Sequence, residues 1–220
     1  MSHVNSKIFG YNQKMEDTEK ANPGTAFYNF NTTPGVTCPQ KGACWEQKWC
    51  YAINGNYNRW SVKKKMEANY ELSKSDEFVS IIDKELSRLQ QRMPDIKIYI
   101  RWNDAGDIYD EKYFKKLIEI AEHNPDVNFY SYTKSVGLVK DAIANGLVIP
   151  ENYRITFSVG GKQDHLITED DRQAKVIGTY DEVEEGWHDA AHNDKITYDN
   201  AKIALKYHGQ RRFPGNGKKV

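Results

Sequence analysis

Cysteine is scarce in this chain, with only three among 220 residues. An odd number of cysteines cannot pair completely into disulfides within one chain. The sequence also shows no apolar segment near its N-terminus that would serve as a secretory signal. These two absences predict a reducing compartment, and we expect the protein to work in the cytoplasm.

Long apolar runs and an excess of charge are missing as well. No stretch of eighteen apolar residues offers a membrane-spanning helix. Lysine plus arginine and aspartate plus glutamate are balanced at 31 each, so no overall field attracts the chain to nucleic acid. The basic clusters at 63–65 and 217–219 are too short for a nucleic-acid footprint. We therefore expect neither a membrane nor a nucleic acid as a partner.

The three cysteines lie within thirteen residues, although the chain is long enough to scatter them. Cys38, Cys44 and Cys50 form an even C-x5-C-x5-C pattern. Thiolates that bind one metal centre need a short loop that folds back on itself, so this crowding predicts a metal site. From the length we predict a single α/β domain over residues 1–220, with a cysteine loop at 34–60 and a flexible basic tail at 210–220.

Three kinds of site are compatible with this loop. Structural zinc takes four protein ligands, usually from C-x2–4-C pairs, so zinc would need a histidine or an aspartate as its fourth ligand here. A [4Fe–4S] cluster held by three cysteines leaves one iron for a substrate, a cofactor or another side chain. Reduced cysteines without a metal are the third alternative. We favour the iron–sulfur cluster.

Downstream of the loop the apolar periodicity alternates between helix and strand. A start resembling a capping box at Ser73 predicts a helix that ends at Pro94. The run I-K-I-Y-I-R-W from Ile96 predicts a strand, and Asp110 is expected to cap the next helix. Further strands are predicted at 26–30, 127–132, 154–159, 174–180 and 201–207, with helices at 135–145 and 181–192.

Repeated βα units predict parallel strands joined by right-handed crossovers. We predict a partial TIM-like (βα)6 barrel in preference to an open doubly wound sheet. In such barrels the carboxyl ends of all strands face one mouth, so the polar loops that follow them converge. The cysteine loop follows the first strand and is expected at this mouth.

Four polar residues after predicted strands are candidate pocket residues. Asp104 and Asp107 follow the second strand and could orient a polar ligand, although turn or cap roles explain them equally well. Lys134 follows the third strand and is a candidate anion-binding residue, with a solvated lysine as the simpler alternative. His208 follows the last strand and is either a fourth ligand for iron or zinc or a structural histidine.

Several long motifs occur in a fixed order along the chain. They are N-S-K, T-C-P-Q-K-G-A-C-W-E-Q-K-W-C-Y-A, R-W-N-D-A-G-D, F-Y-S-Y-T-K-S and I-A-L-K-Y-H-G. Together these motifs, from Asn5 to Gly209, resemble the bacteriophage gene product 88 family. The resemblance implies a phage-encoded protein in the cytoplasm of the infected bacterial cell, with a cysteine-bound iron–sulfur centre.

The predicted architecture also resembles the radical S-adenosylmethionine enzymes, whose partial (βα)6 barrel carries a three-cysteine loop after its first strand. Trp49 directly precedes the last cysteine, as an aromatic residue does in that superfamily, and A-G-D at 105–107 lies where its glycine-rich motif binds the cofactor. The loop of that superfamily is C-x3-C-x2-C, however, whereas both spacings here are five. S-adenosylmethionine is therefore a cofactor that the resemblance allows and the spacing disfavours.

Two functional hypotheses follow. In the first, the open iron carries out redox or radical chemistry on a small molecule or on a host or phage protein. In the second, the protein is a non-catalytic oxygen or redox sensor or an interaction module, with a zinc-binding structural protein as a further alternative. Polar groups follow several strands, more than a purely structural metal site would need. This favours the first hypothesis, in which the site carries out a reaction.

Overall fold

A computed structural model describes residues 4–207, without the side chain at 181. Its centre is a sheet of seven strands in the order β1-β2-β3-β4-β5-β7-β6, and every neighbouring pair is parallel. The strands are β1 Thr25–Phe30, β2 Lys97–Trp102, β3 Asn128–Thr133, β4 Tyr153–Ser158, β5 Gln173–Ile177, β6 His188–Asp189 and β7 Lys202–Lys206.

The sheet curls into a half-barrel and leaves β1 and β6 as its two edges. The predicted partial TIM-like barrel is therefore confirmed. All six predicted strands are present, and a two-residue strand, β6, adds a seventh. Because the strands are parallel, the loops that follow them emerge at one end of the sheet.

Seven α-helices accompany the strands in the described part of the chain. They are α1 Gln13–Ala21, α2 Ala43–Glu46, α3 Trp60–Lys74, α4 Phe78–Arg92, α5 Glu111–His123, α6 Val136–Ala144 and α7 Asp194–Asp199. Short 3-10 turns occur at Tyr51–Ile53, Gly55–Asn58, Asp164–Leu166 and Tyr180–Glu182. None of the helices within residues 4–207 is long and apolar enough to cross a membrane.

The main hydrophobic core lies between the sheet and the crossover helices. Alternate residues of β1 contribute Ala26, Tyr28 and Phe30 to it, and Leu86 of α4 and Leu117 of α5 pack in the same cluster. These side chains are almost completely buried. The apolar stripes that predicted α4 and α5 are thus the faces that cover the sheet.

The opposite face of the sheet is covered by α1 and α7. Met15 of α1 packs against Phe27, Tyr99 and Tyr130, which are the alternate residues of the first three strands. The backbone N–H of Asp194 donates to the Thr18 hydroxyl at 2.9 Å, which joins α7 to α1. Strands buried on both faces carry few exposed polar positions, so a charge within them must find a partner.

One predicted helix was wrong at its start. Ser73 does not begin a helix, because it lies in the last turn of α3, where its hydroxyl donates to the Tyr70 carbonyl at 2.7 Å. The following helix begins at Phe78 and ends before Pro94, as predicted. The apolar residues therefore predict α4 correctly, whereas Ser73, its predicted start, belongs to the preceding helix.

The helix predicted at 181–192 is absent. This stretch contains the end of a 3-10 turn and then β6, and the nearest helix is α7 at Asp194–Asp199. Gly186 has a φ of 79°, a left-handed conformation that ends any right-handed helix. The residues around this glycine favour helix by composition, but they form no apolar face. A helix here would therefore gain no stability from packing against the sheet.

Candidate metal centre

The cysteine loop, residues 34–60, lies across the carboxyl ends of the strands. The backbone N–H of Ala43 donates to the Gly160 carbonyl after β4 at 3.2 Å, and Lys162 N–H donates to the Gln40 carbonyl at 3.2 Å. A Cβ at Gly42 would lie 2.5 Å from the Gly160 carbonyl oxygen. This close backbone approach requires glycine and fixes the loop over the mouth.

A cavity of about 140 Å³ lies between this loop and the strand ends. The smallest space that holds one water molecule is roughly ten times smaller. Seven of the eight residues singled out from the sequence line the cavity. They are Cys38, Cys44, Cys50, Trp49, Asp104, Asp107 and Lys134. The eighth, His208, lies outside the described residues, so its role as a fourth ligand stays a prediction.

The three thiols differ in their surroundings. Cys44 and Cys50 act on each other, and this interaction lowers the pKa of Cys44 to about 6 and raises that of Cys50. Burial raises the pKa of Cys38 to about 12. Among residues 4–207, no three Cys, His, Asp or Glu side chains are gathered closely enough to bind a single metal ion. The thiols border a common space without meeting at one point.

Trp49 is buried between the loop and the end of the sheet, with 7% of its surface exposed. Its ring packs edge-on against Tyr207, with 6.0 Å between the ring centroids. Tyr207 directly follows β7, so this contact connects the last cysteine of the loop to the far side of the half-barrel. The Trp49 indole thus closes one wall of the cavity.

Asp107 connects the ends of β2 and β3. Its carboxylate accepts hydrogen bonds from the Thr133 hydroxyl at 2.5 Å, from Ile108 N–H at 2.7 Å and from Lys134 N–H at 3.0 Å. Burial raises the pKa of Asp107 to about 6 despite these donors. Asp107 thus holds the turn together and also lines the cysteine cavity.

Lys134 is not a solvated lysine. Its ammonium donates to the Ser158 carbonyl at 3.0 Å, to the Ser158 hydroxyl at 2.9 Å and to the Val159 carbonyl at 2.9 Å. No carboxylate forms an ion pair with it within the part of the chain that the structure describes. Its positive charge favours the thiolate of Cys44. The geometry thus supplies a cation beside the cysteines.

Asp104 is the most heavily bonded residue at the mouth. Its carboxylate lies 3.0 Å from the Arg101 guanidinium and accepts hydrogen bonds from the Tyr57 hydroxyl at 2.7 Å and from Asn12 at 3.0 Å. The Tyr51 hydroxyl donates to the Asp104 carbonyl. A turn role alone does not explain a carboxylate that side chains from three separate segments contact through an ion pair and hydrogen bonds.

Arg101 and Asp194 are site residues that the sequence reasoning missed. Arg101 lines the cavity, and its guanidinium lies 3.2 Å from the Asp194 carboxylate, which also contacts Lys14 at 2.6 Å. The cationic groups of Lys14 and Arg101 offset burial, and the pKa of Asp194 is lowered to about 2. An arginine inside the apolar strand I-K-I-Y-I-R-W was the available signal, because a buried charge requires a partner.

Gly106 separates the two aspartates with a φ of 91°. A Cβ there would lie 2.0 Å from the Thr32 hydroxyl and 2.6 Å from the Thr37 hydroxyl, both of which belong to the segment that leads into the cysteines. Glycine is needed both for the backbone conformation and for this close contact. It sets how near the β2 turn lies to the cysteine loop.

Comparison with curated proteins and with solved structures yields no match to the chain. The family model of Gene product 88, in contrast, matches residues 5–216. This match extends over nearly the whole sequence and includes every residue placed around the cavity. The chain therefore belongs to the Gene product 88 family.

Proposed function

We propose that Cys38, Cys44 and Cys50 bind a [4Fe–4S] cluster at the mouth of the half-barrel, and that the protein uses it for redox or radical chemistry on a small molecule. One observation carries the proposal: the only three cysteines of the chain line one cavity, together with charged side chains from neighbouring strands. A cluster bound by three thiolates supplies electron transfer and one iron that is open to a further ligand.

The donor set suits a cluster better than a single ion. Soft thiolates are the ligands that iron–sulfur clusters take. The three thiols border a shared space without converging on one point within residues 4–207. A cubane is larger than a single ion, so its ligands stand further apart.

The charges around the cavity also suit an anionic cluster. Lys41, Arg101 and Lys134 all line it, whereas the Asp104 carboxylate is paired with Arg101. The Asp107 carboxylate accepts three hydrogen bonds, as described above. The lysines and Arg101 can therefore stabilise negative charge that three thiolates and sulfide bring to this site.

The proposal places this chemistry in the cytoplasm of a phage-infected bacterial cell, where thiols stay reduced. It does not include S-adenosylmethionine, because both cysteine spacings are five residues. A second candidate is a non-catalytic redox sensor. The backbone bonds between the loop and residues 160–162 favour it, since loss of a cluster would loosen a loop that is hydrogen-bonded to the turn after β4.

Anaerobic purification followed by iron and sulfide analysis tests cluster binding. We expect about four irons and four sulfides per chain, a brown colour, and loss of both elements in Cys38→Ala, Cys44→Ala and Cys50→Ala. Gln47→Ala changes an exposed residue between two of the cysteines and serves as the matched control that keeps the cluster.

Stoichiometric zinc without sulfide would contradict the proposal and support the structural zinc alternative. A full cluster in Cys44→Ala would also contradict it, because no other thiol exists to replace the lost ligand. Electron paramagnetic resonance of the reduced protein then separates enzyme from sensor. Substrate-like small molecules should perturb the signal of an open iron and leave the signal of a fully ligated cluster unchanged.

A further inference from the structure

A second and larger cavity lies beside the cysteine site. Its volume is about 800 Å³, which falls in the range of small-molecule pockets. It is formed by the N-terminal segment, α1, the carboxyl end of β1, the 3-10 turn at Gly55–Asn58 and the first turns of α3. No cysteine lines it, so nothing said of the cluster explains it.

The charges in this second cavity are all of one sign. Lys14, Arg59 and Lys65 line it, and none of its lining residues within the described chain is Asp or Glu. The chain as a whole carries 31 acidic residues, equal to its basic ones, so the cavity departs sharply from the average surface. Lys14 is paired with Asp194, which leaves two positive charges without a compensating carboxylate in the lining.

Neither of those two cations forms an ion pair in the described part of the chain, and the Glu85 carboxylate, which attracts Lys65 at longer range, is already paired with Arg88. The Lys65 ammonium donates only to the Phe9 carbonyl at 2.9 Å, and burial lowers its pKa. The exposed Arg59 guanidinium makes no hydrogen bond or ion pair there. A half-buried ammonium without a directly bonded anion is costly, and an anionic ligand would reduce that cost.

Neutral polar groups complete the lining. Asn5, Asn56 and Ser61 border the cavity, and their side chains make no hydrogen bond to the rest of the described chain. Amides and hydroxyls of this kind bind sugar-type hydroxyl groups as both donors and acceptors. We propose that this cavity binds a phosphorylated small molecule that carries hydroxyl groups, with Arg59 and Lys65 on the phosphate.

The two cavities share a wall. Tyr57 and Asn12 line the second cavity and donate hydrogen bonds to Asp104, which lines the cysteine cavity. A ligand in the second cavity would therefore lie one layer of side chains from the cysteines. The inference goes beyond the proposed function and does not depend on it, because no cysteine or cluster takes part in the binding.

Isothermal titration calorimetry on the full chain tests this site with ribose 5-phosphate and with ribose as probes. We expect saturable binding of ribose 5-phosphate and none of ribose at the same concentrations. The double variant Arg59→Gln, Lys65→Gln should bind ribose 5-phosphate at least about tenfold more weakly, since charge-assisted hydrogen bonds are lost.

The matched control is Lys84→Gln, Arg92→Gln, which removes the same charges from exposed positions of α4 and should bind like the wild type. Arg59→Gln alone, at an exposed position, carries the test if the double variant does not fold. Absence of ribose 5-phosphate binding at millimolar concentration would overturn the inference. Equal weakening in the two double variants would overturn it as well, because only the overall charge would then matter.

Discussion

The Arg101 guanidinium lies 3.2 Å from the Asp194 carboxylate, although 93 residues separate them in the sequence. Both side chains are buried, with 8% and 0% of their surface exposed. The contact ties β2 to the start of α7, and Lys14 extends it to α1. Three separate segments are thus held together directly beneath the cysteine cavity.

We expect Asp194→Asn to lower the free energy of unfolding by about 3–5 kcal/mol, because it leaves Arg101 and Lys14 without their buried counter-charge. Urea denaturation at neutral pH measures this loss. Asp199→Asn is the matched control in the same helix, since Asp199 pairs with Lys195 at the surface. That control should change stability by less than about 1 kcal/mol. Equal effects of the two variants would show that the buried network does not stabilise the fold.

The same pair predicts a pH dependence. The pKa of Asp194 is about 2 in the folded protein, below its ordinary 3.8, so its stabilisation is complete above pH 3.8 and disappears as the pH falls towards 2. The difference in unfolding free energy between wild type and Asp194→Asn should therefore shrink by about 2 kcal/mol on acidification. Parallel urea series at several acidic pH values measure the difference, and a constant one would refute this account.

Gly106→Ala should destabilise the protein more than Gly146→Ala. Both residues have a positive φ, of 91° and 94°, so both variants incur a backbone cost of about 1–2 kcal/mol. Only the Cβ at position 106 meets the Thr32 and Thr37 hydroxyls, while nothing lies within 4 Å of a Cβ at 146. Overpacking adds a further cost of about 1–3 kcal/mol. Thermal unfolding of both variants measures the difference, which would vanish if the two threonines moved aside freely.

Lys134→Gln should lower the reduction potential of the proposed cluster. Removal of a positive charge next to the cysteines favours the more oxidised, less negative state, by on the order of tens of millivolts. Lys162→Gln is the control, because that lysine is exposed and solvent screens its charge. Spectroelectrochemical titration of the three proteins gives the potentials. A higher potential in Lys134→Gln would contradict the electrostatic role given to this lysine.

The fold could be predicted from the sequence where apolar residues follow one period. The run I-K-I-Y-I-R-W became β2, and the stripe of α5 with its cap at Asp110 appears as expected. Helices α1 and α3 were missed for the opposite reason. In α1 only Met15 and Thr18 are buried, and in α3 the buried positions include Asn69 and Ser73, so neither helix shows an apolar stripe.

The sequence predicted those parts of the site that lie just after a parallel strand. Asp107 and Lys134 were brought to the cysteines because parallel strands end at one edge. Arg101 was missed since it lies within a strand, and its partner Asp194 begins a short helix that the sequence reasoning did not predict. The seating of the cysteine loop depends on contacts between segments far apart in the sequence, such as that of Gly42 with Gly160, which no local pattern encodes.

The contact between Gly42 and Gly160 has a consequence for the order of events during translation. The cysteine loop leaves the ribosome well before residue 160, and synthesis of the 110 residues from Cys50 to Gly160 takes roughly 5–25 s at bacterial rates. Until β4 and the turn after it are made, the loop lacks its backbone partner Gly160, and Lys134 lacks the Ser158 oxygens that hold it. The nascent thiols therefore spend this interval without their final surroundings, open to oxidation or to the wrong metal, so the proposed cluster has to be loaded late, after most of the chain has been made.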